Sequence, residues 1–149
     1  MSVQMSLDHR ATLPVRHRAL PLLAVAAARV LARVKPARLR QVLQFARRGG
    51  RPASEEEAQR ARDEIVAVSM RCAGNNCLQR SIAAALLCRM RGSWPTWCTG
   101  VRTHPFAAHA WIQVDGEPVG EPHPSGYFRT LLSVTPAPGR GEPRDKSPA

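Results

Sequence analysis

A thiol and an imidazole are the two side chains of this sequence best placed to act together as nucleophile and base. Cys77 stands at the start of a helical segment whose residues 82–87 are almost all apolar, and His109 stands at the start of an alternating segment, 109–114. A cysteine nucleophile needs a nearby base to take its proton. A helix start and a strand start can meet where a helix packs on a sheet, so the pattern predicts a Cys77–His109 pair.

The expected position of Cys77 at a helix N-terminus favours this chemistry. Unpaired N–H groups and the helix dipole lower the pKa of a thiol there, and they also stabilise the oxyanion formed during acyl transfer. Asn75, Asn76 and Gln79 are polar neighbours that could donate to the oxyanion, although Asn76 is equally suited to be only the N-cap. Trp111, on the same strand face as His109, either walls the substrate cleft or packs internally.

The other three cysteines, Cys72, Cys88 and Cys98, are predicted to be small buried residues. Cys88 lies eleven residues further along the helix, about 16 Å from Cys77 at 1.5 Å per residue. The cysteine spacings contain no C-x2-C pair and match no common zinc signature. The sequence therefore predicts neither a metal nor any other cofactor.

A carboxylate is needed to orient His109, and Glu121 and Asp115 are the nearest candidates. Asp115 belongs to a turn, roughly 20 Å from His109 along an extended chain. A two-residue loop at 115–116 would direct Glu121 to the opposite face of the hairpin. A three-residue loop at 114–116, with a glycine bulge, would pair His109 with Glu121. We predict the three-residue loop and Glu121 as the orienting acid.

Helices precede strands along the chain, which predicts an α+β domain with N-terminal helices, a central buried helix and a small antiparallel sheet. Hydrophobic spacing, the capping box that starts at Ser54 and the glycine and proline breaks define the elements. The predicted helices are 20–34, 37–47, 55–71 and 77–91. The predicted strands are 97–102, 109–114 and 119–121, followed by a short element within 127–134.

Composition indicates one domain at 19–134 between a flexible N-terminus at 1–18 and a disordered tail at 135–149. The formal net charge is +11, and the arginines concentrate in the first half. Nucleic-acid binding is not predicted because the chain has no RNA-binding aromatic motif, zinc finger or basic zipper. The apolar segment 19–28 resembles a signal-peptide core. The spacing of apolar residues continues to Val34, however, which favours an amphipathic helix. A cytoplasmic location suits four reduced cysteines.

Taken together, several short motifs resemble the B2 proteins of lasso peptide biosynthesis. The motifs are Cys77-Leu78-x-Arg80-Ser81, Gly100-Val101-Arg102, Pro105-Phe106, Ala108-His109-Ala110-Trp111, Asp115-Gly116 and Val119-Gly120-Glu121. The resemblance covers about 20–134. It implies a transglutaminase-like, papain-like cysteine peptidase that removes the leader from a ribosomally made precursor peptide.

The resemblance also assigns roles and partners. It implies Cys77 as nucleophile, His109 as base and Glu121 as orienting acid, although the family more often has Asp at the last position. Leader removal frees the core peptide for an asparagine-synthetase-like cyclase. Because no β-rich segment precedes Ser54, the small winged-helix recognition domain that some members carry is expected on a separate protein. The basic segment 20–51 could dock that protein, or an acidic leader.

Two other functions fit the same residues. The same fold and triad would serve acyl transfer to an amine, as in transglutaminases. A basic helical scaffold that binds peptide or membrane without catalysis is the alternative from a different class, and the sequence leaves membrane association open.

Overall fold

The structure is a computed structural model that describes residues 14–138, with the side chains of residues 71 and 73 excepted. The expected flexible N-terminus at 1–18 and the expected disordered tail at 135–149 lie largely outside these residues. The helices are α1 (Ala19–Leu31), α2 (Pro36–Ala46), α3 (Glu55–Val68), α4 (Met70–Ala73) and α5 (Cys77–Met90), preceded by a single 3-10 turn at Val15–His17. The strands are β1 (Arg51–Pro52), β2 (Ser93–Trp94), β3 (Thr96–Thr103), β4 (Phe106–Val114), β5 (Glu117–Pro118) and β6 (Arg129–Val134).

Helix α5 is the centre of the core, as predicted from its apolar sequence. Ile82, Ala83, Ala85 and Leu87 are fully buried, because α1 and α3 pack on the helix from one side and β4 packs on it from the other. A helix with apolar residues all round must be covered on every side. The helix therefore places its first residue at a fixed position beside the sheet.

A four-stranded antiparallel sheet in the order β5-β4-β3-β6 forms the second layer, which confirms the α+β class. A separate parallel pair, β1 with β2, was not predicted. The indole Nε1 of Trp97 on β3 donates a hydrogen bond of 3.0 Å to Ser81 Oγ on α5, and both side chains are buried. This bond fixes the helix against the sheet one turn after Cys77, because a buried N–H must find an acceptor.

The start of α3 confirms the predicted capping box. Ser54 Oγ accepts from the Glu57 N–H at 3.2 Å, and Glu57 Oε2 accepts from the Ser54 N–H at 2.9 Å. Two helix N–H groups that would otherwise lack partners are thereby satisfied. Helix α4, by contrast, occupies a stretch that was predicted to be the end of α3 and a loop.

Two predictions about the strands are wrong. Strand β4 begins at Phe106, so His109 lies inside the strand and not at its start. The hairpin after it pairs Val114 with Glu117, which leaves a two-residue loop at Asp115 and Gly116 and excludes the predicted three-residue loop. Both loop residues have positive φ, as a tight hairpin turn of this length requires.

The predicted return strand at 119–121 is also wrong, because pairing ends earlier. Val119 N–H still donates to the Ile112 carbonyl at 2.9 Å, and then Gly120 takes a positive φ of 64° and turns the chain out of register. In an unbroken two-residue hairpin Glu121 would face away from His109. The turn at Gly120 removes that constraint and lets the Glu121 side chain return to the histidine.

None of the helices described between residues 14 and 138 combines the length and the apolar character needed to span a bilayer.

Candidate active site

Cys77 is the first residue of α5 and is half-buried. Asn76 occupies the N-cap position, but its side chain does not make the predicted capping hydrogen bond; its carbonyl accepts from the Arg80 N–H at 3.0 Å. The thiol therefore lies at the positive end of the helix, where the first N–H groups point away from the helix body.

His109 faces the thiol from the middle of β4. The side chain is 18% exposed, and the ring packs against Trp111 and Phe128 with centroids 6.0 and 5.0 Å away. Its β3 partner in the sheet is Gly100. A Cβ on Gly100 would lie 3.0 Å from the Trp111 ring and would collide with the Arg129 carbonyl. The missing side chain thus leaves room for the aromatic packing that holds the imidazole.

Glu121 holds the far side of the imidazole. His109 Nε2 donates to Glu121 Oε2 at 2.7 Å, and the carboxylate side chain is only 7% exposed. Because Nε2 is bound to the carboxylate, Nδ1 is the ring nitrogen left for the thiol. The structure thus brings Glu121 to His109, whereas Asp115, the alternative acid, is exposed in the hairpin turn.

The protonation of the pair follows from these contacts. Burial raises the pKa of the Cys77 thiol, but hydrogen bonds from His109 and from the Ala110 N–H, with the charges of His109 and Arg80, lower it below its ordinary value. Burial lowers the pKa of His109, but hydrogen bonds to Cys77 and Glu121 and their negative charges raise it to about 9. Both shifts favour a thiolate beside an imidazolium.

The residues predicted to bind the oxyanion or the substrate differ in their exposure to solvent. Asn75 and Asn76 are exposed on the loop just before the thiol. Trp111 is 5% exposed and lines the cleft beside His109, but its indole N–H donates to Gln113 Oε1 at 3.1 Å. The Trp111 ring therefore lines the cleft, whereas its N–H group is bound to Gln113.

The cleft next to His109 has a volume of about 380 Å³. Besides Trp111, aromatic residues of the segment between β5 and β6 line it: His123 and Phe128. Tyr127 stacks on His123 with centroids 4.0 Å apart, and the Arg102 guanidinium lies 4.8 Å from the Tyr127 ring centroid. Sequence reasoning missed this aromatic group. The clustering of His123, Tyr127 and Phe128 a few residues after Glu121 is the signal that could have indicated it.

The other three cysteines have no such surroundings. Cys72, Cys88 and Cys98 are at most 2% exposed, and burial raises the pKa of Cys88 and of Cys98 to about 12. No disulfide links the four cysteines, all of which lie within residues 14–138. Within the same residues, no group of three or more His, Cys, Asp or Glu side chains is placed to hold a metal ion.

Comparison with known proteins agrees with this geometry. A family model described as "Transglutaminase-like superfamily" matches residues 21–133 of the 149. Searches of curated proteins and of solved structures each found no match. Since the family model covers most of the chain, including all three residues of the Cys-His-Glu arrangement, the protein belongs to the transglutaminase-like superfamily, which includes cysteine peptidases and acyltransferases.

Proposed function

We propose that this protein is a cysteine peptidase that removes the leader from a ribosomally made lasso-peptide precursor. The observation that carries the proposal is the arrangement of a half-buried thiol at a helix start, an imidazole facing it and a buried carboxylate 2.7 Å from the imidazole. Membership of the transglutaminase-like superfamily supports cysteine-based acyl chemistry. The B2-type motifs at Cys77, His109 and Glu121 support the finer assignment.

The reaction follows from the order of the three side chains. The Cys77 thiolate attacks the scissile carbonyl, and a thioester forms as the peptide C–N bond breaks. The His109 imidazolium gives its proton to the leaving amine, which departs as the N-terminus of the core peptide. A water molecule, deprotonated by His109, then hydrolyses the thioester, and the leader leaves as a carboxylate. Glu121 keeps the ring oriented and its Nε2 protonated throughout.

The helix start supplies the stabilisation of the oxyanion in this proposal. The first N–H groups of α5, beginning with that of Cys77, have no carbonyl one turn earlier in the helix to bind. An oxyanion formed at the attacked carbon lies next to the sulfur and therefore next to these groups. Asn75 and Asn76, exposed on the preceding loop, are the side chains that could add a further donor.

Recognition of the leader is assigned in this proposal to a separate protein that docks on α1 and α2. No Asp or Glu occurs between Asp8 and Glu55, and residues 16–51 contain ten lysine and arginine side chains. Apolar side chains are exposed on α1 among these charges, including Leu22 at 50%, Leu23 at 60% and Val30 at 65%. An acidic partner with an apolar ridge, or an acidic leader, would complement such a surface. The cyclase and a cytoplasmic location belong to the same proposal.

The test is a reconstitution with a lasso-peptide precursor and a separate leader-recognition protein. We expect the wild-type chain to release the leader and Cys77→Ala to leave the precursor intact, as read by mass spectrometry of both products. Cys88→Ala is the matched control, because that thiol is buried on the same helix. Equal leader release by Cys77→Ala and wild type would reject the mechanism.

The same experiment separates hydrolysis from amine transfer. Hydrolysis leaves the leader with a free carboxyl group, whereas transfer to an added primary amine raises the leader mass by the mass of the amine less one water. A product that carries the amine even at low amine concentration would identify an acyltransferase. If the precursor is unchanged in every reaction, the result favours the non-catalytic scaffold.

A further inference from the structure

Arg80 lies one turn after Cys77 on α5, and its side chain is only 13% exposed. Its Nη1 donates to two backbone carbonyls of the segment that leads to the nucleophile, those of Cys72 and Gly74, each at 3.2 Å. Its Nη2 lies 3.9 Å from Glu121 Oε1. One guanidinium group therefore contacts both the polypeptide before the nucleophile and the acid that holds the base.

The two oxygens of Glu121 have different partners. Oε2 accepts from His109 Nε2, and Oε1 faces Arg80. A carboxylate this deeply buried needs opposite charge and hydrogen bonds to remain ionised. The guanidinium supplies positive charge on the side of the carboxylate away from the histidine.

The two carbonyl contacts set the position of the nucleophile. Residues 74–76 link α4 to α5, and their path decides how the first turn of α5 is entered. A planar guanidinium can hold two carbonyls and a carboxylate in one fixed arrangement, whereas an ammonium group acts as a single compact charge. A change at Arg80 would therefore alter the Cys77 approach and the Glu121 orientation together.

We propose that Arg80 is a positioning residue. It holds the segment before Cys77 and the Glu121 carboxylate in fixed positions relative to each other. The inference rests on the proposed cysteine chemistry and names a further residue that this chemistry requires. Arg80 does not touch the reacting atoms; it acts through the segment before Cys77 and through Glu121. Its positive charge also helps to lower the pKa of the Cys77 thiol.

Other ionisable groups lie near the site in different positions. His109 is part of the pair itself, and His123 lines the open side of the cleft. Arg62 on α3 packs along Gly120, where an added Cβ would lie 2.7 Å from its Cδ. Within residues 14–138, Arg80 joins the polypeptide before Cys77 to the Glu121 carboxylate.

The experiment measures the thiol without any peptide substrate. The full chain and its variants Arg80→Gln and Arg80→Lys are treated with iodoacetamide between pH 5 and 9, and labelling of Cys77 is quantified by peptide mass mapping. Arg91→Gln is the matched control, since Arg91 at the end of the same helix pairs with Glu64 at 2.6 Å, far from the thiol. Thermal unfolding of each variant is recorded in parallel.

We expect Arg80→Gln to move the alkylation profile to higher pH and to slow labelling at pH 6 by about tenfold, because an opposite charge near a thiol lowers its pKa. Arg80→Lys keeps the charge but loses the planar guanidinium that holds two carbonyls and a carboxylate. We therefore expect labelling at pH 6 to slow by only about threefold. Arg91→Gln should retain the wild-type profile.

Two results would overturn the proposal. One is an Arg80→Gln profile that superposes on that of Arg91→Gln. The other, decisive even if Arg80→Gln fails to fold, is a folded Arg80→Lys protein that reacts like wild type at every pH. Failure of the wild-type chain to cleave any precursor would reject the proposed function but would leave this measurement valid, because alkylation needs no peptide.

Discussion

The two cysteines of α5 occupy opposite environments although they lie eleven residues apart on one helix. Cys77, at the N-terminal end, is half-buried beside an imidazole, and its thiol pKa is lowered. Cys88, near the other end, is 2% exposed, and its S–H lies 4.0 Å from the Glu57 carbonyl. Burial and the nearby charge of Glu57 raise its pKa to about 12. Position on the helix, and not residue type, separates a candidate nucleophile from a core residue.

The same comparison explains why one helix can serve both purposes. Its middle, residues 81–88, builds the core, and most of these residues are buried. Its first turn emerges at the edge of that core, where the dipole and the free N–H groups meet β4. The buried middle of the helix belongs to the core, and its half-buried first turn carries the candidate nucleophile.

The largest expected difference between the two thiols is their reaction with iodoacetamide. At pH 7 we expect Cys77 to react about a thousandfold faster than Cys88 or Cys98, because the thiolate is the reactive form and burial suppresses it at both other sites. Peptide mass mapping after brief labelling measures all three at once. Comparable labelling of Cys77 and Cys88 in the folded protein would remove the distinction.

Removal of the base should lower the rate of leader cleavage by a similar factor. We expect His109→Gln to lower kcat/KM for leader cleavage by about a thousandfold, since the residual thiol loses both its proton acceptor and the imidazolium that stabilises the thiolate. Steady-state kinetics with the reconstituted precursor checks this value. Glu117→Gln, which changes an exposed residue of the neighbouring strand β5, is the control, and an equal loss there would point to a folding defect.

Loss of the orienting charge should have an intermediate effect. We expect Glu121→Gln to reduce kcat/KM on the order of a hundredfold, because the amide can still contact Nε2 but no longer stabilises the charged ring. Asp115→Asn, which changes an exposed acid of the same hairpin, should remain close to wild type. A stronger effect at Asp115 than at Glu121 would reassign the acid.

The protonated histidine should also make stability depend on pH. The folded pKa of His109 is raised from its ordinary 6.5 to about 9, so its contribution is complete below pH 6.5 and is lost as the pH rises through 9. We expect urea unfolding to report this loss between pH 6 and pH 10, offset in part by the Cys77 thiol, whose lowered pKa contributes stability as the pH rises. The variant His109→Gln should lose correspondingly less over that range.

The smallest expected effect is at the buried end of the helix. We expect Cys88→Ala to lower the free energy of unfolding by about 1 kcal/mol, because a small core side chain is removed and a cavity remains. Cleavage activity should stay within about twofold of wild type. A large loss of activity with unchanged stability would contradict the division of α5 into a reactive end and a structural end.

Regular elements were predictable from the sequence because they depend on local patterns. The apolar run of α5 requires burial on all sides, and Ser54 with Glu57 forms a capping box whatever the rest of the fold does. The assignment of His109 and Trp111 to one face of β4 followed from strand alternation. These features need no knowledge of distant residues.

The route of Glu121 to the histidine could not be predicted in the same way. Residues Asp115 and Gly116 correctly indicate a hairpin, but the prediction of a three-residue loop was wrong, because the loop has two residues. At the Gly120 turn the Arg62 side chain of α3 lies so close that a Cβ would come within 2.7 Å of its Cδ, which is a tertiary contact. Arg80 had no assigned role because its carbonyl partners and Glu121 become neighbours only in the folded chain.

Because the nucleophile belongs to a helix and its base to a strand thirty-two residues later, reactivity arises only once the two layers have docked. A nascent or unfolded chain has four ordinary thiols and nothing to activate any of them. Activation of the Cys77 thiol therefore depends on completion of the fold.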